Sequence, residues 1–165
     1  LGTGFGSAFF EDGIPVVDRA DVPEFGCVYH LPYKGRIADD TFSTRWYIKR
    51  FAEKTGKMVG GVKEIFDVAD SDPLARECFI EFGENLGEFS APWLKTFLTE
   101  VMVIGGNVTG AYEIWGKAFE SSLQERDVNI RILLSDLMED AAIVGSARLV
   151  EESYWQRVKG LLSRM

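Results

Sequence analysis

The sequence predicts an α/β domain with a mixed sheet. The chain opens on a strand–turn–strand pattern, runs through a long helical stretch, and closes on strand, helix, strand and helix in that order. That succession is the signature of helices packed on a sheet. At 165 residues it fits one domain with a core of its own, and 46% hydrophobic against 27% charged content is the balance of a folded globular chain.

Each element has a local reason. Leu1-Gly2-Thr3-Gly4-Phe5-Gly6-Ser7-Ala8-Phe9-Phe10 reads as a glycine-broken strand, turned by Asp12-Gly13 into a returning strand at Ile14-Pro15-Val16-Val17. Residues 18–42 are irregular apart from a short strand over Cys27-Val28-Tyr29-His30-Leu31. Ser43 or Thr44 caps a helix that Gly56 stops, with Trp46, Tyr47, Arg50 and Phe51 on one broad face. A short helix covers 62–69. The longest helix starts with Asp72 as N-cap and Pro73 in its first turn. Its stripe of Leu74, Cys78, Phe79, Phe82, Leu86, Phe89, Trp93, Leu94 and Phe97 has helical spacing. Gly83 and Gly87 predict a close neighbour, and Pro92 predicts a kink. A strand then ends in Gly105-Gly106-Asn107, followed by a helix over 109–124 and a strand over 128–134. A tightly packing small-residue helix over 140–150 and an amphipathic last segment complete the chain.

The totals exclude several classes of function. Twenty-six acidic against 18 basic residues, net charge −8, is a poor footprint for nucleic acid, which requires clustered Lys and Arg. No apolar run approaches the roughly 20 residues of a membrane span. No basic, then apolar leader is present. Two cysteines 51 positions apart make no CxxC pair and point to a reducing, cytoplasmic setting. Leu1 falls inside a strand-like stretch with no Met before it, so the expectation is a fragment whose parent protein continues upstream.

Chemistry concentrates in the glycines. Three in the first six positions allow close backbone approach to a ligand, and successive amides in such a turn form a nest for phosphate. The competing reading is a hairpin whose glycines serve only twist and packing. Gly105-Gly106 makes a second glycine turn at a strand end, where open α/β sheets bind ligands. Together the two turns could hold the two ends of one nucleotide.

The order of these motifs resembles the C-terminal half of the ROK family of sugar kinases and transcriptional repressors, within the actin/hexokinase fold. Residues 1–9 look like that family's LGTGxGxG/A strand. Glu84-Asn85-Leu86-Gly87 followed by Val101-Met102-Val103-Ile104-Gly105-Gly106-Asn107-Val108 resembles the long helix leading to the IVIGGG motif. Asp140-Ala141-Ala142-Ile143-Val144-Gly145-Ser146-Ala147-Arg148-Leu149 resembles the closing AxxxGAAxL helix. The resemblance implies a ribonuclease-H-like (actin-like ATPase) domain, a mixed sheet flanked by helices. Residues 1–165 would be the C-terminal domain of a larger two-domain protein, with 151–165 packing on the missing N-terminal domain.

The resemblance also assigns roles. Nucleotide contacts fall to Gly2, Thr3, Gly4, Phe5, Gly6, Gly105, Gly106 and Asn107; ATP and Mg²⁺ are the implied cofactors and a sugar is the substrate. The family's GExGH segment is altered here to Glu24-Phe25-Gly26-Cys27-Val28-Tyr29-His30 and admits two registers, so Glu24 and His30 are both candidate sugar ligands. Asp40 stands where the terminal sugar-binding Glu of the family's cysteine-rich loop would be. That loop's cysteines are absent, so no zinc is expected. The catalytic aspartate and the first phosphate loop lie upstream in the family, so this chain is expected to contain no catalytic residue and to be inactive alone. The alternatives are the sugar-sensing half of a repressor and a degenerate oligomerisation domain. Trp155, Val158, Leu161 and Leu162, left uncovered, predict a homo-oligomer such as a dimer. Neither a nucleic-acid nor a membrane partner is expected for this part.

Overall fold

Asp12 and Gly13, at φ 50° and 73°, turn the opening hairpin. Its strands are β1 (Phe9–Glu11) and β2 (Ile14–Val16), paired antiparallel with Phe9 opposite Val16. Residues 1–8 take no regular form, because the glycines and their partners, described below, fold them into a turn rather than a strand. The computed structural model describes residues 1–137, 140–161 and 164. A second hairpin, β3 (Pro32–Tyr33) with β4 (Arg36–Ile37), turns on Lys34 and Gly35 at φ 46° and 81°. It replaces the strand expected over residues 27–31, which are instead a turn.

Four helices follow: α1 (Ala38–Thr41), α2 (Thr44–Thr55), α3 (Val62–Val68) and α4 (Pro73–Thr96). Gly56 ends α2 in the left-handed conformation, φ 72°, with its amide on the Ala52 carbonyl. Asp72 caps α4 by accepting from the Leu74 amide. Pro92 does not break α4, which runs through it as one element of 24 residues. Then come β5 (Val101–Ile104), a 3₁₀ turn over Asn107–Ala111, and α5 (Tyr112–Gln124). β6 (Arg131–Leu134) pairs parallel to β5, with Val101 opposite Arg131.

The core is aromatic and is centred on α4. Cys78, Phe79, Phe82 and Leu86 are fully buried between α2 and α5. Burial pushes the Cys78 thiol up to about 11. Gly83 and Gly87 make α5 a close neighbour. A Cβ at Gly83 would lie 3.0 Å from the Phe119 nitrogen and nearer still to the Trp115 carbonyl oxygen; at Gly87 it would meet Ser122 Cβ at 2.5 Å. Leu74, counted in the apolar stripe, is exposed, and Ala75 beside it is buried instead. The helix phase at its first turn favours the neighbour.

The expected mixed sheet contains both parallel and antiparallel pairs, but as three separate two-stranded pieces. β1 and β5 do not pair. Between them runs an apolar groove of about 400 Å³, lined by Phe9, Phe10, Met102, Val103 and the Phe89, Trp93 and Phe97 side of α4.

Two expectations about the last segments are corrected. The small-residue helix forms as α6 (Ala141–Ala147), but none of its residues is buried: Ile143 is 71% and Val144 50% exposed. Its sequence suits close packing, yet among the described residues no core element covers Ile143 and Val144. The last helix, α7 (Glu152–Val158), is the covered one. It sits against β2, tethered by Arg157 donating to the Asp12 carbonyl and by Arg164 paired with Asp18 at 2.8 Å. Val158 is therefore 2% exposed, and Trp155 and Leu161 are half-buried. Leu162 lies outside the described residues. Self-association argued from an uncovered stripe of these residues loses that basis.

Candidate functional site

The two glycine turns, more than one hundred residues apart in sequence, touch. The Leu1 nitrogen donates to the Gly105 carbonyl at 2.6 Å, and the Val108 amide donates to the Leu1 carbonyl at 3.3 Å. Gly106 makes this contact sterically possible. It adopts φ 91° and ψ 167°, and a Cβ there would lie 3.0 Å from the Leu1 carbonyl carbon and closer to its oxygen. Gly105 has more room, with Ser135 Cβ 3.4 Å from a built Cβ. Asn107 begins the 3₁₀ turn that leads into α5.

Residues 1–6 are pinned on their inner side. The Gly2 amide donates to the Gly4 carbonyl at 3.2 Å, and the Gly2 carbonyl accepts from the Thr44 amide at the start of α2, 2.8 Å away. Phe5 points inward and is 6% exposed, its ring 5.0 Å from Phe42 and 5.9 Å from Phe89. Its amide donates to Asp39 Oδ1 at 2.6 Å. Of the five predicted residues in this turn, Phe5 is thus an anchor: its ring is in the core and its amide is taken. The outer side differs. Among the described residues the amides of Thr3, Gly4 and Gly6 have no acceptor, and a Cβ at Gly2 or Gly6 would meet nothing within 4 Å. Buried amides are almost always paired, so amides left open to solvent beside bare glycine backbone are where an anion can bind.

Among the described residues the three predicted sugar ligands share no hydrogen bond, ion pair or ring contact with one another. Glu24 is exposed in a 3₁₀ turn, Glu24–Gly26, where Phe25 takes φ 64°. His30 is half-buried; its Nδ1 lies 3.9 Å from Cys27 Sγ, and its ring meets Phe25 edge-on at 5.6 Å and Tyr29 at 5.2 Å. Glu24 and His30 are linked through Phe25 rather than directly. Cys27 is half-buried, and burial pushes its thiol up. Asp40 is exposed on α1.

Its neighbour Asp39 is the carboxylate that reaches the glycine turn. Besides the Phe5 amide it holds Arg45, Nη2 to Oδ2 at 2.7 Å. Sequence reading passed over Asp39, Arg45 and Ser7, whose Oγ accepts from the Val28 amide at 2.9 Å. A signal existed only for Asp39, an acid in the first turn of a short helix directly after the second hairpin.

No family model and no curated protein matches this sequence. Solved structures do. A protein described as a sugar kinase from Cytophaga hutchinsonii superposes with a TM-score of 0.80 at 22% identity, over 92% of this chain and 56% of its own. A ROK-family glucokinase from Streptomyces griseus, solved with glucose and AMPPNP, gives 0.69 at 20% identity over 92% and 59%. A glucokinase from Parabacteroides distasonis gives 0.67 at 27% identity over 76% and 37%. The chain has the fold of ROK sugar kinases. It spans between about a third and three-fifths of the sugar-kinase and glucokinase chains named above. The resemblance read from the sequence therefore extends to the overall fold of the backbone.

Proposed function

We propose that this chain is the C-terminal, nucleotide-holding half of an ATP-dependent sugar kinase. The observation that carries the reading is the contact between the turn of residues 1–6 and the turn of residues 105–107, with the Thr3, Gly4 and Gly6 amides without an acceptor among the described residues. Phosphoryl transfer relies on positioning and on charge stabilisation more than on covalent chemistry from the protein, and backbone amides fixed in advance supply both. In this assignment the first turn takes phosphate, and Gly105, Gly106 and Asn107 take the nucleoside side.

ATP fits a turn with three open amides. Mg²⁺, when bound with the nucleotide, neutralises phosphate charge. No group of three His, Cys, Asp or Glu among the described residues forms a metal cradle. A Mg–nucleotide complex requires none, since the ion keeps several waters and takes phosphate oxygens as ligands. Sugar hydroxyls fall to Glu24, His30 and Asp40 in this assignment; Glu24 and Phe25 line a surface pocket of about 560 Å³, and the His30 ring meets Phe25 edge-on. The two cysteines are free thiols, in keeping with a cytoplasmic setting.

A general base has to take the proton of the attacking hydroxyl. Asp39 is beside the turn, but both of its oxygens are engaged, one by the Phe5 amide and one by Arg45. Asp39 is therefore not the proposed base, which this assignment gives to a part of the parent protein outside these residues. Calorimetric titration with MgATP is expected to show binding by this chain. A coupled kinase assay with glucose and related hexoses is expected to show none of the turnover. Absence of nucleotide binding would remove the reading, and turnover by this chain would remove the placement of the base.

A further inference from the structure

We infer that Asp39 is the positioning residue of the glycine turn, fixing which of its amides face a ligand. The inference rests on the reading of residues 1–6 as a phosphate turn and deepens it. Three segments converge on this one residue, two through its carboxylate and one through its main chain. Oδ1 accepts from the Phe5 amide at 2.6 Å, and Oδ2 accepts from Arg45 in the first turn of α2 at 2.7 Å. The Asp39 main chain is fastened to the loop that carries His30, its amide donating to the Tyr29 carbonyl at 3.0 Å while Ala38 donates to the Leu31 carbonyl at 2.8 Å. A second strut, the Val28 amide on Ser7 Oγ, ties the same loop to the far end of the glycine turn.

The carboxylate also explains one of the glycines. A Cβ at Gly4 would stand 2.8 Å from Asp39 Oδ1, whereas Gly2 and Gly6 face open space. Gly4 is a glycine because Asp39 occupies the inner side of the turn; Gly2 and Gly6 leave the outer side clear. An anion held inside saturates the one inward amide, so the Thr3, Gly4 and Gly6 amides remain for an anion outside. A bare carboxylate so near would repel phosphate, and Arg45 offsets that charge at the distance of a direct ion pair. The same residue, through its carboxylate on one side and its amide on the other, thereby couples the phosphate turn to the His30 loop, so ordering one orders the other.

The test uses the whole 165-residue chain, with hydrogen exchange resolved at the Phe5 amide and calorimetry with MgATP. A charge-assisted hydrogen bond of this kind corresponds to roughly ten- to a hundredfold in the closed-to-open ratio of the turn. Asp39→Ala is expected to lose protection at Phe5 by that factor and to weaken MgATP binding at least tenfold. Asp39→Asn keeps an acceptor for Phe5, so it should restore both to within about threefold, while the Phe5 amide proton moves upfield as its acceptor loses charge. A residue that only stabilises the fold would shift the unfolding temperature without this split in affinity between Ala and Asn. Unchanged Phe5 protection in Asp39→Ala, or equal MgATP affinity in the parent and that variant, overturns the inference. If Asp39→Ala does not fold, an unmoved Phe5 proton in Asp39→Asn overturns it as well. If the parent chain takes no MgATP, the kinase reading fails, and the exchange measurement still decides the role of Asp39.

Discussion

Replacing Gly106 by alanine tests the joint between the two glycine turns. The backbone at Gly106, φ 91° and ψ 167°, lies in a region that only glycine occupies comfortably. Holding another residue there costs of order 1–3 kcal/mol. The added methyl would also stand against the main chain of Leu1, with both the nitrogen and the carbonyl carbon at 3.0 Å. Neither partner is a flexible side-chain tip, so one of the turns has to move, and overpacking of this type costs about 1–3 kcal/mol. Taking about 3 kcal/mol for the pair of effects, a domain of this size should unfold about 6–12 °C lower. Relief comes most cheaply by opening the Leu1–Gly105 hydrogen bond, so MgATP affinity should fall with the stability. Gly6→Ala is the control, because its methyl meets nothing within 4 Å and its φ is not left-handed. Thermal unfolding by circular dichroism and calorimetry with MgATP read both variants. A Gly106→Ala chain that melts within about 1 °C of the parent would refute the argument, since neither strain nor contact would then be real.

Other perturbations follow from the same physics. Gly83→Ala should destabilise by about 2 kcal/mol net, overpacking against the α5 backbone outweighing a gain of up to about 1 kcal/mol in helix propensity; Gly145→Ala, a helical glycine with open space around it, should be neutral or stabilising, and equal melting shifts in the two would contradict the packing account. Tyr47 is fully buried, its hydroxyl has no partner among the described residues, and burial raises its pKa well above the ordinary value. Tyr47→Phe should therefore stabilise by roughly 1 kcal/mol and remove a loss of stability that begins above about pH 10, both measured by urea unfolding. The Lys34 ammonium, 2.9 Å away, holds the Glu88 carboxyl below its ordinary value of 4.5, with the Tyr33 hydroxyl assisting. A depressed carboxylate contributes stability above its unfolded value and loses it as pH falls through the folded one. Lys34→Met should accordingly flatten the acid limb of the melting curve below about pH 4.5 and leave the neutral region little changed.

What the sequence discloses follows the range of the forces involved. Local chemistry reads directly: Gly56 ends α2, Asp72 caps α4, Asp12-Gly13 turns the hairpin, and each works within four residues. The Gly83/Gly87 pair reads as a close approach because no other role suits small residues on an apolar helix face. Coverage does not read. The small residues of α6 and the amphipathic pattern of α7 are equally good packing surfaces; the structure covers Val158 and leaves Ile143 open, and only the neighbours decide that. The site was legible in part. Motif order pointed to both glycine turns, but nothing in composition says that Leu1 meets Gly105. Likewise, Asp39 and Asp40 differ by one step of a helix, about 100° of direction. The turn geometry of residues 32–37 sets that phase, and a short strand predicted over 27–31 would have set a different one.

The two turns owe their alignment to one core. Phe5 carries the first turn into the cluster of Phe42 and Phe89. Trp115, fully buried on α5, carries the second: its Nε1 donates to the Val108 carbonyl at 3.1 Å, directly after Asn107. The two anchors meet through Phe82 of α4, whose ring lies 5.6 Å from Trp115 and 5.9 Å from Phe42. Gly83, the next residue, is what lets α5 come close enough for that contact. The chain of causes therefore runs from a missing side chain on α4, through interlocked rings, to the spacing of two backbone turns at the surface. Interiors packed this densely transmit displacement rather than absorb it. In the proposed site, amides held in this way would meet a phosphate without first being ordered by it, and that avoided ordering cost is how a buried helix interface would contribute to binding at a surface it never touches.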